Sequence, residues 1–146
     1  MKKCTKCGIN KKSNEFNKCG KNKDDLRSAR KNRRSIDPLY RLTENIRSSI
    51  FNSFKNNGYK KNSRTEEILG CSFEEFRIHI ENNMANWMTY ENYGKYNGEL
   101  NYGWDLDHIV PVSSAKTEKE IINLNHYSNF QPLCSKINRD IKSNKL

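Results

Sequence analysis

The chain has 146 residues, 34% of them hydrophobic and 30% charged, with a formal net charge of +10. A chain of this length has room for one domain, or one domain with a small appendage, and so low an apolar share means a thin core. No stretch approaches the roughly 20 apolar residues of a membrane span, and the start MKKCTKCG is basic without the apolar run of a secretory signal, so a soluble cytoplasmic protein is expected.

Charge is spread unevenly along the chain. Residues 1–64 carry 19 Lys and Arg against 5 Asp and Glu, a net +14, whereas residues 65–146 carry 8 against 12, a net −4. A solvated basic face would explain a few excess charges. Fourteen in 64 residues is a concentration that points to a polyanion, because each phosphate neutralised releases counterions and adds affinity. The side chains expected to make such contacts are Arg30, Lys31, Arg33 and Arg34 in an arm of residues 1–35. Arg41 and Arg47 on the helix that follows, and Lys60, Lys61 and Arg64 in the loop beyond it, extend the set.

Five cysteines, an odd number, argue against a disulfide framework. Cys4 and Cys7 form a CxxC followed by Gly8, the knuckle of a thiolate zinc site, but a closed structural site needs four ligands. A second CxxC is expected in LRSARKNRRS, where Arg30 and Arg33 hold that spacing and cannot bind metal. Cys19 is a candidate third ligand with no histidine nearby to be a fourth. The arm therefore reads as a degenerate, loosely ordered zinc-ribbon-like segment.

Helical patterning begins at Asp37-Pro38, an N-cap followed by Pro at the first helical position. Leu39, Leu42, Ile46, Ile50 and Phe54 recur at spacings of three and four, giving an amphipathic helix that ends near Asn56-Asn57-Gly58. Ser72 and Glu75 form a capping box for the next helix, whose apolar face is Phe73, Phe76 and Ile80. Cys71 reads as a small core residue and His79 as a residue of the helix surface. Residues 36–85 are thus a helical, nucleic-acid-facing region. Tyr90, Tyr93, Tyr96 and Tyr102 then lie in a Tyr-, Asn- and Gly-rich stretch, where they either pack over the core or stack on bases.

In the last third, Trp104, Leu106, Ile109 and Val110 suggest a short strand that Pro111 stops. Thr117 and Glu120 form a second capping box before Ile121, Ile122 and Leu124. Phe130, Gln131, Pro132 and Leu133 suggest a second strand, and a final helix runs from about Ser135 to Lys142. Ile137 and Ile141 are placed on its buried face, Asn138 and Lys142 on the other.

This segment, WDLDHIVPVSSAKTEKEIINLNHYSNFQPLCSKINRDIKSNK, resembles the HNH, or ββα-metal, nucleases: an Asp-His pair followed by Pro, then an Asn-Phe-Gln-Pro-Leu strand, and nine residues after that Asn a second Asn in an NRxxK helix. The resemblance implies an α+β fold with a ββα-metal core over residues 86–146 and a basic, mainly helical N-terminal half. It further implies that Asp107 and Asn138 ligate one divalent cation, Mg²⁺ or Mn²⁺. His108 would be the general base, and Asn129 would hold the loop after the first strand so that His108 points correctly. Lys142 and Arg139 are candidate additions to the site, and His126 is either a further phosphate contact or ligand or a structural residue at the loop-to-strand junction. Since neighbouring strand residues face opposite ways, Asp107 and His108 can share one phosphate only where the strand ends or distorts.

Asn138 stands where the family often has His, giving an HNN form like that of the HNH domain in CRISPR RNA-guided nucleases. Cys134 has Ile137, not a cysteine, three residues on, so no zinc staple is expected and Cys134 reads as a small buried residue. The implied activity is hydrolysis of duplex DNA, nicking as a monomer, in the manner of small nucleases of phages and mobile elements. The alternative is a non-catalytic nucleic-acid-binding protein on a decayed fold of this kind.

Overall fold

The computed structural model of the protein describes residues 1–5, 8–16 and 23–142. The fold is mixed α+β, mainly helical, with two small two-stranded antiparallel sheets. The chain divides into two units, Met1–Arg41 and Leu42–Leu146.

In the first unit, β1 (Lys2–Lys3) pairs with β2 (Asn10–Lys11), Lys2 opposite Lys11 and Lys3 opposite Asn10. The connecting turn is closed by the Cys4 N–H donating to the Ile9 carbonyl at 2.9 Å and the Gly8 N–H to the Cys4 carbonyl at 2.8 Å. Gly8 sits at φ +71°, which a residue without a Cβ adopts freely. Cys4 is buried, while Cys7 and Cys19 lie outside the described residues. The LRSARKNRRS stretch is not loosely ordered: it belongs to α1 (Lys23–Ile36). Asp24 and Asp25 in its first turn and Arg33 and Arg34 in its last suit the helix dipole, and no Gly or Pro interrupts it. A regular helix has no knuckle for a second zinc half-site. No residue of α1 is buried.

α2 (Pro38–Asn56) starts where the sequence places it, with Asp37 Oδ1 accepting from the Tyr40 N–H at 2.9 Å. Leu42, Ile46, Ile50 and Phe54 are buried on one face together with Ser53. A five-residue helix, α3 (Thr65–Leu69), buries Ile68 and Leu69; it is too short for a periodicity signal and is absent from the sequence reading. α4 (Phe73–Asn82) carries the expected capping box: Ser72 Oγ accepts from the Glu75 N–H at 3.2 Å, and Glu75 Oε2 accepts from the Ser72 N–H at 2.8 Å. Phe76 and Ile80 are buried.

The segment from residue 89 to 103 has no regular element, and its tyrosines divide. Tyr93 stacks on Trp104 with centroids 4.4 Å apart, and Tyr90 meets Trp104 edge-on. Tyr96 and Tyr102 are exposed. β3 (Trp104–His108) then pairs antiparallel with β4 (Phe130–Cys134), Trp104 opposite Cys134 and His108 opposite Phe130. Ile109 and Val110 lie beyond β3, half exposed, which corrects the expected strand end. The cause is Asn129, whose side chain takes the Val110 backbone out of the ladder. α5 (Glu118–Leu124) is capped by Thr117 Oγ1, but Glu120 reaches past Thr117 to the Lys116 N–H at 2.6 Å, so the expected box is only half formed.

α6 (Ile137–Lys142) is wound with the wider π pattern. No residue of α6 is buried, and Ile141 is exposed, which corrects the buried face expected for it. The core of the second unit joins α2, α3, α4, α5, β3 and β4 through Ile46, Phe54, Leu69, Phe76, Trp104, Ile121 and Phe130. Phe76 and Phe130 meet edge to face at 5.5 Å. Each such side chain contributes about 1.5–3 kcal/mol by leaving water. Among the described residues, no helix is long and apolar enough to cross a membrane.

Candidate functional site

Strand alternation sorts β3 into two sets of side chains with different partners. Asp105 and Asp107 reach α6, while Trp104 and His108 reach the aromatic core. Asp107 Oδ2 accepts from Lys142 Nζ at 2.6 Å and from Gln131 Nε2 at 3.0 Å, Gln131 being its cross-strand partner. Lys142 Nζ also donates to the His108 carbonyl.

Asp105 was not singled out by the sequence reading. It receives Arg139 in a two-pronged ion pair, Nε to Oδ2 at 2.8 Å and Nη2 to Oδ1 at 2.7 Å, and Asn138 Nδ2 at 3.2 Å. Burial raises its carboxyl, but the Arg139 and Asn138 hydrogen bonds outweigh that and hold it below the ordinary carboxylate range. The signal for Asp105 was in the sequence: it lies two residues before Asp107 in a strand of period two. Arg139 extends this lock to the irregular segment, donating to the Gly94 carbonyl at 3.3 Å and lying over the Tyr96 ring. The Tyr96 hydroxyl in turn donates to Asp140 at 2.6 Å.

His108 is half-buried, its ring 4.2 Å from that of Phe130. Its Nε2 lies 3.0 Å from Oδ1 of Asn125, which is wholly buried. Burial pulls the His108 imidazole below its ordinary value, with Lys142 acting in the same direction. Asn125 and the Asp107 carboxylate oppose the shift without reversing it. Pairing is regular through Asp107 and ends at His108, so the strand ends at this pair and is not distorted within it.

Asn129 closes the loop after β3. Its Oδ1 accepts from the Val110 N–H at 2.9 Å, and its Nδ2 donates to the Val110 and Leu124 carbonyls at 3.0 and 2.7 Å. His126 does not reach this group of residues. Its Nδ1 bonds Ser128 Oγ at 2.8 Å, and its ring lies so close over Gly70 that a Cβ there would come within 2.6 Å. His79 is not a free surface residue: its Nε2 bonds the Phe130 carbonyl at 3.0 Å, and its ring meets Tyr127 edge-on. Cys71 is part-buried, and burial together with Glu75 and Glu66 pushes its thiol up to about 11, which leaves it unreactive. Cys134 is buried, as expected, and its Sγ accepts the Asn101 N–H.

Among the described residues, Oδ1 of Asp107 and Oδ1 of Asn138 take no hydrogen bond, and both are oxygens of the kind that Mg²⁺ and Mn²⁺ prefer. No group of three or more His, Cys, Asp or Glu able to hold a metal occurs among the described residues.

Of the basic residues, Arg30, Lys31, Arg33, Arg47, Lys60 and Arg64 are exposed, and Arg34, Arg41 and Lys61 are part-buried. Arg33 pairs with Asp37 and lies over Tyr40, and Arg47 lies over Phe73 at 4.7 Å.

The chain is similar to two uncharacterized proteins of Acanthamoeba polyphaga mimivirus. Protein L426 is 31% identical over 133 residues, which are 90% of this chain and 53% of that protein. Protein L246 is 29% identical over 108 residues, 73% of this chain and 43% of that protein. The chain thus spans about half the length of the curated relatives it matches. No family model matches the chain, and no solved structure matches it.

Proposed function

We propose that this protein is an HNH-type nuclease that hydrolyses DNA phosphodiester bonds with His108 as general base and one divalent cation held by Asp107 and Asn138. The observation that carries the reading is a strand, loop, strand, helix unit in which β3, Asn129, β4 and α6 follow one another in order. Asp107 and His108 end β3, Asn129 precedes β4 and Asn138 lies on α6, an order that supports the reading.

In this reading the duplex is gripped largely by the basic half. His108 takes a proton from a water, whose oxygen attacks phosphorus while the bond to the 3′-oxygen breaks and that oxygen acquires a proton from solvent. The cation, when bound, supplies positive charge to the phosphate and the leaving oxygen. Asn129 keeps the end of β3 from moving by tying Val110 to Leu124. Gln131 and Lys142 orient the Asp107 carboxylate. The Asp105 and Arg139 ion pair fixes α6 against β3, so that Asn138 stays in place.

Incubation of the purified protein with supercoiled plasmid and Mg²⁺ or Mn²⁺, with and without chelator, tests the reading directly. Metal-dependent strand cleavage is expected. Binding without cleavage under every divalent ion would favour the second reading, a non-catalytic nucleic-acid-binding protein. One contact speaks for that alternative: the Lys142 ammonium already neutralises the Asp107 carboxylate and would have to share it with a cation.

A further inference from the structure

Asn125 is the most deeply buried polar side chain near His108, and none of the sequence motifs includes it. Its hydrogen bonds define which way its amide points. Nδ2 donates to the Ile121 carbonyl at 2.9 Å, a group that can only accept. Nδ2 also donates to Ser53 Oγ at 2.7 Å, and the Ser53 hydroxyl proton is already committed to the Ile50 carbonyl at 2.7 Å, leaving only lone pairs toward Asn125. Two independent acceptors on α5 and α2 therefore hold Nδ2, and Oδ1 must face His108. An amide oxygen accepts and cannot donate, so the His108 Nε2 at 3.0 Å has to carry the proton. The other ring nitrogen, Nδ1, keeps its lone pair and takes no hydrogen bond among the described residues.

We infer that Asn125, anchored by Ser53 and Ile121, is a positioning residue that fixes His108 in the Nε2–H tautomer and leaves Nδ1 as the nitrogen that accepts a proton. The inference rests on the nuclease reading for its catalytic consequence, but not for the placement of the proton. The linkage runs from Ile50 and Ser53 on α2 through Asn125 to His108, so a helix distant in sequence sets the plane of the ring. Because Asn125 has no water-facing surface, truncating it leaves the Ser53 hydroxyl without that donor and the ring free to turn, while the Ile121 carbonyl keeps the Asn125 backbone N–H.

The test is two-bond ¹H–¹⁵N correlation NMR on the ¹⁵N-labelled full chain at mildly alkaline pH. The three histidines give three ring patterns, and His108→Ala identifies the one of interest by its loss. The expected result is a single Nε2–H tautomer with an Nε2 proton slow to exchange. In Asn125→Ala that proton should disappear into a mixture of tautomers, and kcat for plasmid cleavage should fall roughly 10- to 100-fold with KM nearly unchanged, the size typical of losing a residue that orients a functional histidine. Should Asn125→Ala fail to fold, Ser53→Ala removes one anchor while keeping the amide, and a smaller fall in kcat with partial loss of the Nε2 proton is expected. An Nδ1–H tautomer in the unmodified protein, or an unchanged tautomer and kcat in Asn125→Ala, overturns the inference. A protein that cleaves nothing yet shows the single Nε2–H tautomer, lost in Asn125→Ala, upholds the proton placement and removes the nuclease reading instead.

Discussion

At the scale of single residues, two side chains on adjacent positions of one strand are held by unrelated means. His108 is tuned by burial and an amide, Asp107 by a lysine and a glutamine. His108→Ala should therefore lower cleavage by roughly 10²- to 10⁴-fold, the contribution of a positioned general base, while DNA affinity in a gel-shift or anisotropy assay stays near that of the parent. Retained cleavage would take His108 out of the chemistry. Asp105 behaves differently because its carboxyl is held low by Arg139 and Asn138 against the opposing effect of burial. A carboxyl with a depressed folded-state pKa stabilises the fold above its unfolded value, near 4, and loses that contribution as pH falls through the folded value. Asp105→Asn should cost about 1 kcal/mol at pH 7, a figure discounted because Arg139 is substantially exposed. It should also flatten the decline of stability below about pH 4. Urea denaturation at neutral and acid pH measures both, and an unchanged acid limb would remove the ion pair from the account.

At the scale of elements, helix starts and strand patterns were the legible part of the sequence. Asp37-Pro38 and the Ser72 and Glu75 pair mark helix starts by short-range hydrogen bonds that involve only a few neighbouring residues. The order of strand, helix, strand and helix after Trp104 follows from apolar alternation and capping in the same way. What could not be read depends on tertiary contacts. Ile141 is exposed on α6, Asn129 ends β3 two residues early, and Asn125 finds Ser53 only because α2 packs against it. Nothing within a few residues of Asn125 carries that information.

Gly70 offers a test of one such contact. At φ +78° it terminates α3, and the His126 ring occupies the space where a side chain would begin. Gly70→Ala should destabilise the protein by more than the roughly 1–2 kcal/mol of left-handed backbone alone, because the ring must also move. In the double variant with His126→Ala the excess should vanish, giving a coupling between the two sites in a thermodynamic cycle. Simple additivity would mean that the ring swings aside at no cost and that His126 has no structural part in the α3 to α4 turn.

At the scale of the whole molecule, the division of charge predicts how binding responds to salt. Arg30, Lys31, Arg33 and Arg34 lie on α1, a helix that buries none of its own residues. If each of the four neutralises one phosphate, replacing all four by Gln should make the log–log dependence of affinity on salt shallower by about 3 to 4 on duplex DNA. The loss should be similar for unrelated sequences, because phosphate contacts position without reading bases. The core of the second unit shares no buried residue with α1, so its thermal unfolding should be nearly unaffected. Fluorescence anisotropy titrations at several salt concentrations decide the matter. An unchanged slope would mean that α1 is solvated surface and that Arg47, Lys60 and Arg64 carry the grip. A shallower slope with cleavage per bound complex preserved would place the helix in binding alone, leaving the strand pair and α6 to do the chemistry.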